Sequence, residues 1–426
     1  MAGDGIAFSA MVGFGESYLP AFALALGYGA VTAGFVATLP MLAGAVLQLC
    51  TPAAVGVLGS HRRWVVLCAA LQALSFVPLI GGGLAGRLDL WSIYVAAAVY
   101  WGLGMSTGPA WTAWATTLVP ARIRARLFAR RAALGQVALV AALLSAGLIL
   151  ELGTGGGEAV AAYALLFGLA CLARLVSAFC LFRQSEPTPV PIGETRISPA
   201  IIARHVRTGG HGRLLAFLLT FQLGVWIAAP YFTPYMLGPL GLGYFQFTVL
   251  TTSAFAARIV AYPMVGALTA RFGTKRVLLL ATAGIVPLPL LWLVSDSFWW
   301  LFALQLFGGA VWAAFELATL LSFFERIPVH GQASVLTVYN LANASAIVAG
   351  SVIGAGVLDA FGTPTTAFAV LMGVSTLARL AAMPLLRSLP DAPRPDRLPA
   401  LRVLSARPSA GAVQRPILTS ERTELA

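Results

Sequence analysis

The sequence predicts an all-α polytopic membrane protein, with twelve transmembrane helices arranged in two pseudo-symmetric six-helix bundles. The chain of 426 residues is 59% hydrophobic and only 10% charged, whereas soluble domains have about 25% charged residues. Apolar runs of roughly 20 residues, the length that crosses a bilayer, recur from one end of the chain to the other. Features of the first half also recur in the second half.

Short polar or Gly/Pro-containing breaks divide the apolar sequence into twelve predicted spans. These are residues 6–28, 31–58, 64–85, 90–118, 132–152, 159–184, 213–239, 244–270, 276–296, 298–325, 331–358 and 362–388. The segment before the first span, MAGDG, has no basic residue, so it lacks the basic region of a cleavable signal peptide. We therefore expect the first span to be a retained helix.

Basic residues predict the orientation, because Lys and Arg accumulate in cytoplasmic loops. If the N-terminus is cytoplasmic, nearly all of the 27 Lys and Arg residues fall in inner loops or in the C-terminal tail, and Arg87 falls in an outer loop. We therefore expect both termini in the cytoplasm. The net charge of +12 is spread over these loops, which indicates membrane topology and contact with anionic lipids, and excludes a nucleic-acid-binding role.

Two polar segments predict the domain organisation. Residues 185–211 are Pro-rich and basic, as expected of a cytoplasmic linker, and residues 389–426 combine Pro with Arg, as expected of a disordered cytoplasmic tail. The six-helix bundles would then occupy residues 1–184 and 212–388.

An internal repeat relates these two halves at an offset of about 210 residues, which is typical of transporters. Pro20 aligns with Pro230, and the motif LARL occurs at residues 172–175 and again at 377–380. Gly56 and its counterpart Gly266 lie near the end of the second span of each half. A shared offset at separate sites indicates two homologous bundles.

The segment that begins at Gly266, GALTARFGTKRV, resembles the signature G-x-L-x-D-R-x-G-x-K/R of the major facilitator superfamily. The matching residues are Gly266, Leu268, Arg271, Gly273 and Lys275. The glycines would permit close packing at a tight turn, and the basic residues would hold the loop at the cytoplasmic side. The resemblance covers residues 6–388 through topology and repeat, and it implies a transporter that works by alternating access.

The chain departs from that signature at the acidic position. Ala270 stands where the family has Asp, and the first-half counterpart, GVLGSHRRWVV from Gly56, also lacks the acid. The acid is thought to help latch the cytoplasmic gate in that family, so this latch is in question here. The fifth span also lacks G-P-x-x-G-G, a pattern associated with drug/proton antiporters.

Charged residues inside predicted spans are expensive, at about 2.5 to 3.5 kcal/mol each, and usually face protein or water. Away from their outermost residues, the spans contain Glu16, Arg174, Arg258, Glu316 and Arg379. Arg174 and Arg379 are repeat-related and close to inner ends, so we expect their side chains to extend toward the headgroups. The other three lie too deep for that and need partners or water.

By the resemblance, the first and fourth helices of each half line a central cavity, which would place Glu16 and Glu316 there from opposite halves. Glu316 pairs with Arg258 in one interpretation, as a structural ion pair, a gate or a substrate anchor. Glu16 would then have no obvious cationic partner. We expect Glu16 to be the proton-coupling residue, the alternative being a hydrogen-bonded structural acid.

Other polar and aromatic residues of the cavity-facing spans are candidates for substrate or gate contacts, with helix packing as the alternative for each. They are Gln48, Gln222, Trp226, Trp312, Asn340 and Asn343. Pro20, Pro109 and Pro230 interrupt helical hydrogen bonding and are hypothetical hinges for alternating access.

Catalytic, ATP-driven and metal-dependent functions find no support in the sequence. GMSTG at residues 104–108 matches a serine-hydrolase pattern but falls inside a predicted span, where the required strand-to-helix turn cannot form. The single lysine, Lys275, is not in a phosphate-binding loop. Because the four cysteines have no CxxC spacing, neither a disulfide framework nor a metal site is indicated, and we expect no cofactor.

The sequence therefore predicts a secondary active transporter that moves a small amphipathic or zwitterionic organic solute, is coupled to protons and works as an exporter. The alternative is a non-transporting membrane sensor or assembly factor of the same fold. The Ala-rich, Arg-heavy composition is typical of a high-GC bacterium, which indicates the inner membrane. The expected partners are the solute, protons and membrane lipids, and we expect a monomer.

Overall fold

The computed structural model describes residues 1–118, 121–155, 159–186, 210–326, 332–361 and 364–390. These residues form helices and connecting turns, with no strand among them. Most of the predicted linker and nearly all of the predicted tail lie outside the described residues, so the predicted domain boundaries stay predictions.

The first half contains six helical segments, numbered α1 to α6. Three of them are interrupted. They are α1 (Ala2–Phe14, a 3-10 turn at Glu16–Tyr18, then Leu19–Ala25), α2 (Ala30–Gln48 and Thr51–Leu58), α3 (His61–Leu74 and Val77–Ala85), α4 (Leu90–Leu118), α5 (Ala121–Gly155) and α6 (Ala159–Phe182).

The second half repeats this order as α7 to α12. They are α7 (Gly210–Ala228, a 3-10 turn at Ala229–Tyr231, then Phe232–Leu237), α8 (Tyr244–Phe272), α9 (Thr274–Ile285 and Leu288–Leu291), α10 (Phe298–Arg326), α11 (Gln332–Ala360) and α12 (Pro364–Arg387).

Ten of the described helical segments are long and apolar enough to cross a membrane. The two others are α1, which the 3-10 turn interrupts, and α4, whose Trp, Tyr, Ser and Thr residues lower its hydropathy. Both are nevertheless part of the bundles, because equivalent pairs of helices pack together in each half. The predicted fold class is confirmed.

Equivalent helices make equivalent contacts. In the first half α1 packs on α5 and α6, and α4 packs on α2 and α3; in the second half α7 packs on α11 and α12, and α10 packs on α8 and α9. The halves meet through α2 with α11 and α5 with α8. The repeat read from the sequence is therefore a repeat of packing as well.

Prolines at repeat-related positions coincide with the helix interruptions. Pro20 begins the second part of α1, and Pro230 lies in the 3-10 turn of α7. Pro78 and Pro289 follow the breaks in α3 and α9. Because proline lacks a backbone N–H, the carbonyl four residues earlier loses its helical donor. The hinge role of these positions stays a hypothesis, and the side chain of Pro109 lies outside the described residues.

Hydrogen bonds join the halves toward the distal face, which is the end of the bundle that carries residues 26–29 and 238–243. Tyr18 Oη and Thr248 Oγ1 are 2.6 Å apart, and the hydroxyls of Thr38 and Ser351 are 3.0 Å apart. Glu151 accepts a hydrogen bond of 3.2 Å from a backbone N–H in the first turn of α8, where a carboxylate also complements the helix dipole. The opposite end, with residues 59–60 and 273, is called the terminal face.

Candidate functional site

An ion pair connects α8 and α10 in the second half. Arg258 Nη1 is 2.7 Å from Glu316 Oε1, and Tyr262 Oη donates a 2.6 Å hydrogen bond to Glu316 Oε2. Arg258 and Tyr262 are four residues apart and so lie on one face of α8. The Arg258 and Glu316 side chains keep 28% and 39% of their surface exposed, so the pair is accessible from a cleft.

Small residues explain why these helices come close enough for the pair to form. A Cβ added to Gly309 of α10 would overlap the carbonyl oxygen of Ala254 in α8. Gly309 lies two turns before Glu316, and Ala254 lies one turn before Arg258. The close approach at Gly309 therefore sets the distance between the two charged side chains, as small residues do between membrane helices.

The ion pair lines a cavity of about 410 Å³. Five residues predicted from the sequence contribute to it: Gln222, Trp226, Arg258, Trp312 and Glu316. The other lining residues include Phe232, Met236, Trp292, Gln305 and Arg379. All lining residues belong to the second half, so this cavity lies inside that bundle, and Glu16 does not line it.

Arg379 does not extend to the headgroups, so that prediction is wrong. Its side chain is buried, with 3% exposure. Nη1 donates to the carbonyl of Ile285 over 3.1 Å, and Nη2 donates to that of Val225 over 3.4 Å. The Ile285 carbonyl needs this donor because Pro289, four residues on, has no N–H. The break in α9 thus holds Arg379 inside.

Arg174, its repeat-related counterpart in α6, is also buried, with 2% exposure, so the same prediction is wrong for it. Nη1 donates to Ser177 Oγ over 2.9 Å, and Ser177 Oγ donates to Asp4 Oδ1 over 2.7 Å. The other Asp4 oxygen pairs with Arg131 Nη2 at 2.9 Å. Arg174, like Arg379, therefore binds partners inside the protein.

Asp4 was missed by the sequence analysis. We expected MAGDG to precede the first span, but α1 begins at Ala2 and buries Asp4. The available signal was an acidic residue in a first turn, a position where the helix dipole favours it. Asp4, Arg131, Arg174 and Ser177 form what we call the Asp4 network.

Glu16 lies in the 3-10 turn of α1, partly buried, and accepts a 2.6 Å hydrogen bond from Tyr100 Oη of α4. Within the described chain it makes no ion pair. Glu16 thus contacts α4 in the first half, whereas Glu316 lies on α10 in the second half and pairs with α8. The two acids lie in separate sites. The role of Glu16 in proton coupling stays a prediction.

Three other candidates do not line the cavity. Gln48 ends the first part of α2 and is partly buried, Asn340 is exposed on α11, and Asn343 is partly buried with an amide oxygen that has no hydrogen-bond partner. Their roles as substrate or gate residues stay predictions.

The two glycines of the signature loop differ in their surroundings. Gly273 has φ +84° and ends α8, a conformation that favours glycine. Gly266 differs, because a Cβ added there would meet no described atom within 4 Å. Leu268 is largely exposed, Arg271 lies 5.3 Å from the Phe272 ring, and Lys275 lies in the first turn of α9. Close packing therefore does not explain Gly266.

The serine-hydrolase pattern at residues 104–108 is part of the continuous helix α4. It lacks the sharp strand-to-helix turn that exposes a nucleophile. Within the described residues, no group of three or more His, Cys, Asp and Glu side chains is arranged to hold a metal ion.

Comparisons with known proteins give one family model, for the second half of the chain, and several solved structures of the same fold. The family model of the Major Facilitator Superfamily matches residues 214–420. No curated protein is a significant sequence match.

Three solved structures share the fold at low identity. A point mutant of the nucleoside transporter NupG gives a TM-score of 0.69 at 12% identity, over 90% of this chain and 98% of that one. A bacterial homologue of the iron transporter ferroportin, in an inward-facing state, gives 0.68 at 14%, over 90% and 96%. The xylose transporter XylE from E. coli, in an inward-open conformation, gives 0.66 at 12%, over 93% and 96%.

Proposed function

We propose that this chain, whose residues 214–420 match the family model of the Major Facilitator Superfamily, is a member of that family and a secondary active transporter for a small amphipathic organic solute. The observation that carries the proposal is the Arg258–Glu316 pair, which lines a cavity of about 410 Å³ inside a membrane-spanning bundle. Cavities of roughly 300 to 1,000 Å³ suit small organic ligands. A purely structural protein gains little from charges kept at this depth, since each costs about 2.5 to 3.5 kcal/mol.

Alternating access is the mechanism we propose. It requires the two halves to separate at one face and close at the other. The bonds between the halves at the distal face are mainly hydroxyl contacts, such as Tyr18 with Thr248 and Thr38 with Ser351. Neutral hydrogen bonds contribute only about 0.5 to 1.5 kcal/mol each, so these contacts can break and form again within a transport cycle.

Proton coupling is assigned to Glu16 in this proposal. Its carboxylate accepts one hydrogen bond, from Tyr100, and makes no ion pair within the described residues. Without a fixed cation, the neutral and the charged carboxyl can both be accommodated. The turn that carries Glu16 lies between the two helical parts of α1, so a movement of α1 would change the environment of the carboxyl.

Orientation and direction complete the proposal. We propose that the terminal face lies in the cytoplasm of a bacterial inner membrane, because basic residues accumulate in cytoplasmic loops. We propose export as the direction and an amphipathic molecule as the solute, because the cavity combines charged residues with three tryptophans and other apolar side chains. The protein would then exchange solute for protons.

The test uses the full chain in proteoliposomes that enclose a pH-sensitive dye. Nucleosides, pentoses, amino acids and aromatic acids are added outside, one at a time, and the internal pH is followed. Exchange predicts a rise in internal pH as solute enters, and symport predicts a fall. Glu16→Gln should abolish the response, whereas Asp296→Asn, at an exposed loop position, should retain it.

The outcome separates the transporter from the alternative of a sensor or assembly factor. If no solute changes the internal pH or accumulates as a radiolabel, transport is contradicted. Loss of a membrane complex on deletion of the protein would then support an assembly role. If transport occurs and Glu16→Gln retains proton movement, the transporter stands and the assignment of Glu16 fails.

A further inference from the structure

Resting on the proposed transport function, we infer that the solute is an organic carboxylate whose negative charge binds at Arg379. Its aromatic or aliphatic body would lie against the tryptophans of the same cavity. Neither the sequence analysis nor the similar structures assign this role to Arg379.

The charges around the cavity do not balance. Its charged lining residues are Arg258, Glu316 and Arg379. Arg258 is neutralised by Glu316 at 2.7 Å, whereas within the described chain Arg379 has no carboxylate within 4 Å. A guanidinium remains charged under all ordinary conditions. The empty cavity therefore carries one uncompensated positive charge, which a monoanionic solute would neutralise.

Arg379 is also positioned in advance. Two of its nitrogens are held by the carbonyls of Ile285 and Val225, while the buried Nε has no hydrogen-bond partner. The acceptors in these two bonds are neutral, so they orient the guanidinium without neutralising it. A solute carboxylate would supply the missing counter-charge and accept a charge-assisted hydrogen bond from a guanidinium N–H that the two carbonyls leave free.

The remaining walls favour an apolar body. Trp226, Trp292 and Trp312 line the cavity together with Phe232 and Met236. Trp292 packs on Phe232 with ring centroids 5.2 Å apart, which fixes one wall. Large aromatic side chains provide contact area at low entropic cost. Arg379 together with three indole rings matches a solute in which a carboxylate is attached to a ring or to a short chain.

The repeat-related arginine is the natural control. Arg174 is as deeply buried, but it reaches the carboxylate of Asp4 through Ser177. In the first half the arginine is thus linked through a hydroxyl to an acid, whereas Arg379 has no such link to an acid among the described residues.

The experiment compares acids with matched neutral amides. Thermal stabilisation of the purified protein is measured with phenylacetate against phenylacetamide and with indole-3-acetate against indole-3-acetamide, in a buffer free of chloride and of other carboxylates and again with chloride. The wild type should bind each acid at least tenfold more tightly than its amide, a difference of about 1.4 kcal/mol. Arg379→Gln should remove that preference, while Arg379→Lys should retain part of it and Arg174→Gln should keep it.

Each other result overturns the inference. Equal binding of acid and amide, no binding of any acid, or an acid preference that survives in Arg379→Gln would exclude Arg379 as the anion site. Stabilisation by chloride alone would show a site for inorganic anions instead. The wild-type comparison remains decisive even if Arg379→Gln does not fold. Transport of a neutral solute without acid preference would leave the proposed function intact, whereas no transport of any solute would contradict both.

Discussion

Arg174 and Arg379 occupy equivalent positions in the two halves, and each half buries its arginine in a different way. Arg174 belongs to the Asp4 network, in which a hydroxyl links it to a carboxylate that also pairs with Arg131. Arg379 donates to two backbone carbonyls and has no ion pair within the described residues. The same buried cation is thus linked to an acid in one half and held by neutral carbonyls in the other.

The difference follows from two substitutions between the repeats. At the repeat offsets, Leu214 stands opposite Asp4, and Ala382 stands opposite Ser177. Both are fully buried apolar residues, so the second half can offer neither the acid nor the hydroxyl. The duplicated framework has therefore been kept while the partners of its arginine have changed.

Removing the acid of the Asp4 network should give the largest effect on stability. Asp4→Ala would leave the buried Arg174 without a counter-charge and would release Arg131 from its ion pair. We expect a loss of about 3 to 5 kcal/mol, as for one partner of a buried pair, measured as a lower thermal unfolding midpoint in detergent. A loss below about 1 kcal/mol would show that Arg174 does not depend on Asp4.

Removing the cation of the second half should cost less. Arg379→Met would leave the Ile285 carbonyl without a donor, at about 1 to 3 kcal/mol for a buried unsatisfied group. Pro289→Ala restores an N–H four residues beyond Ile285, so the double variant Arg379→Met/Pro289→Ala should be more stable than Arg379→Met alone. The control is Arg174→Met with Pro289→Ala, where the two changes should be additive. The same recovery in both backgrounds would contradict the role of Arg379 at this carbonyl.

Removing the Ser177 hydroxyl, which lies between Arg174 and Asp4, should reduce stability by a smaller amount. Ser177→Ala makes the first half resemble the second at this position, and it removes both bonds of the bridge while Arg174 stays buried near Asp4. We expect a loss of about 1 kcal/mol in the unfolding midpoint. In an Asp4→Ala background the change should cost less, because the bridge has already lost its acceptor; an undiminished cost would place Ser177 outside the network.

Substituting the exposed acid Asp89 should give the smallest loss of stability. Asp89, before α4, accepts bonds of 2.9 and 2.8 Å from the backbone N–H and hydroxyl of Ser92, and these hydrogen bonds lower the pKa of its carboxyl. A lowered pKa in the folded state means that the stabilisation is present above the unfolded pKa and disappears as the pH falls through the folded pKa.

Asp89→Asn should therefore lower the midpoint slightly at neutral pH and have no effect in strong acid. The comparison with Asp4→Ala at neutral pH shows how much of the larger loss is due to burial. An Asp89→Asn loss as large as that of Asp4→Ala would contradict the ordering.

The two midplane acids extend the same comparison. Glu16 accepts a hydrogen bond from Tyr100 and has no ion pair in the described chain, whereas Glu316 has both Arg258 and Tyr262 as partners. One half thus carries an acid without a fixed cation, and the other carries a cation without a fixed acid. A division into a proton site and a solute site would fit this arrangement, and Glu16→Gln and Arg379→Gln would then affect different measurements.

The sequence alone determined the features that depend on local pattern. Apolar run length, the one-sided distribution of Arg and the 210-residue repeat predicted the twelve segments and the two bundles, and all of these are visible without knowing which residues touch. Depth within the spans likewise marked Arg258 and Glu316 as charges in need of partners, which the structure brings together. Such features follow from the bilayer, which imposes the same length and charge rules on every helix.

Helix packing determined where the long arginine side chains point. An arginine near the end of a span can reach the headgroups or the interior, and sequence distance favoured the headgroups for Arg174 and Arg379. Both arginines point to the interior because packing brings Asp4 to Ser177, one turn from Arg174 on α6, and brings the carbonyl left free by Pro289 to Arg379. Asp4 is 173 residues from Ser177 in the chain, and Ile285 is 94 residues from Arg379. These contacts therefore exist only once the helices are packed.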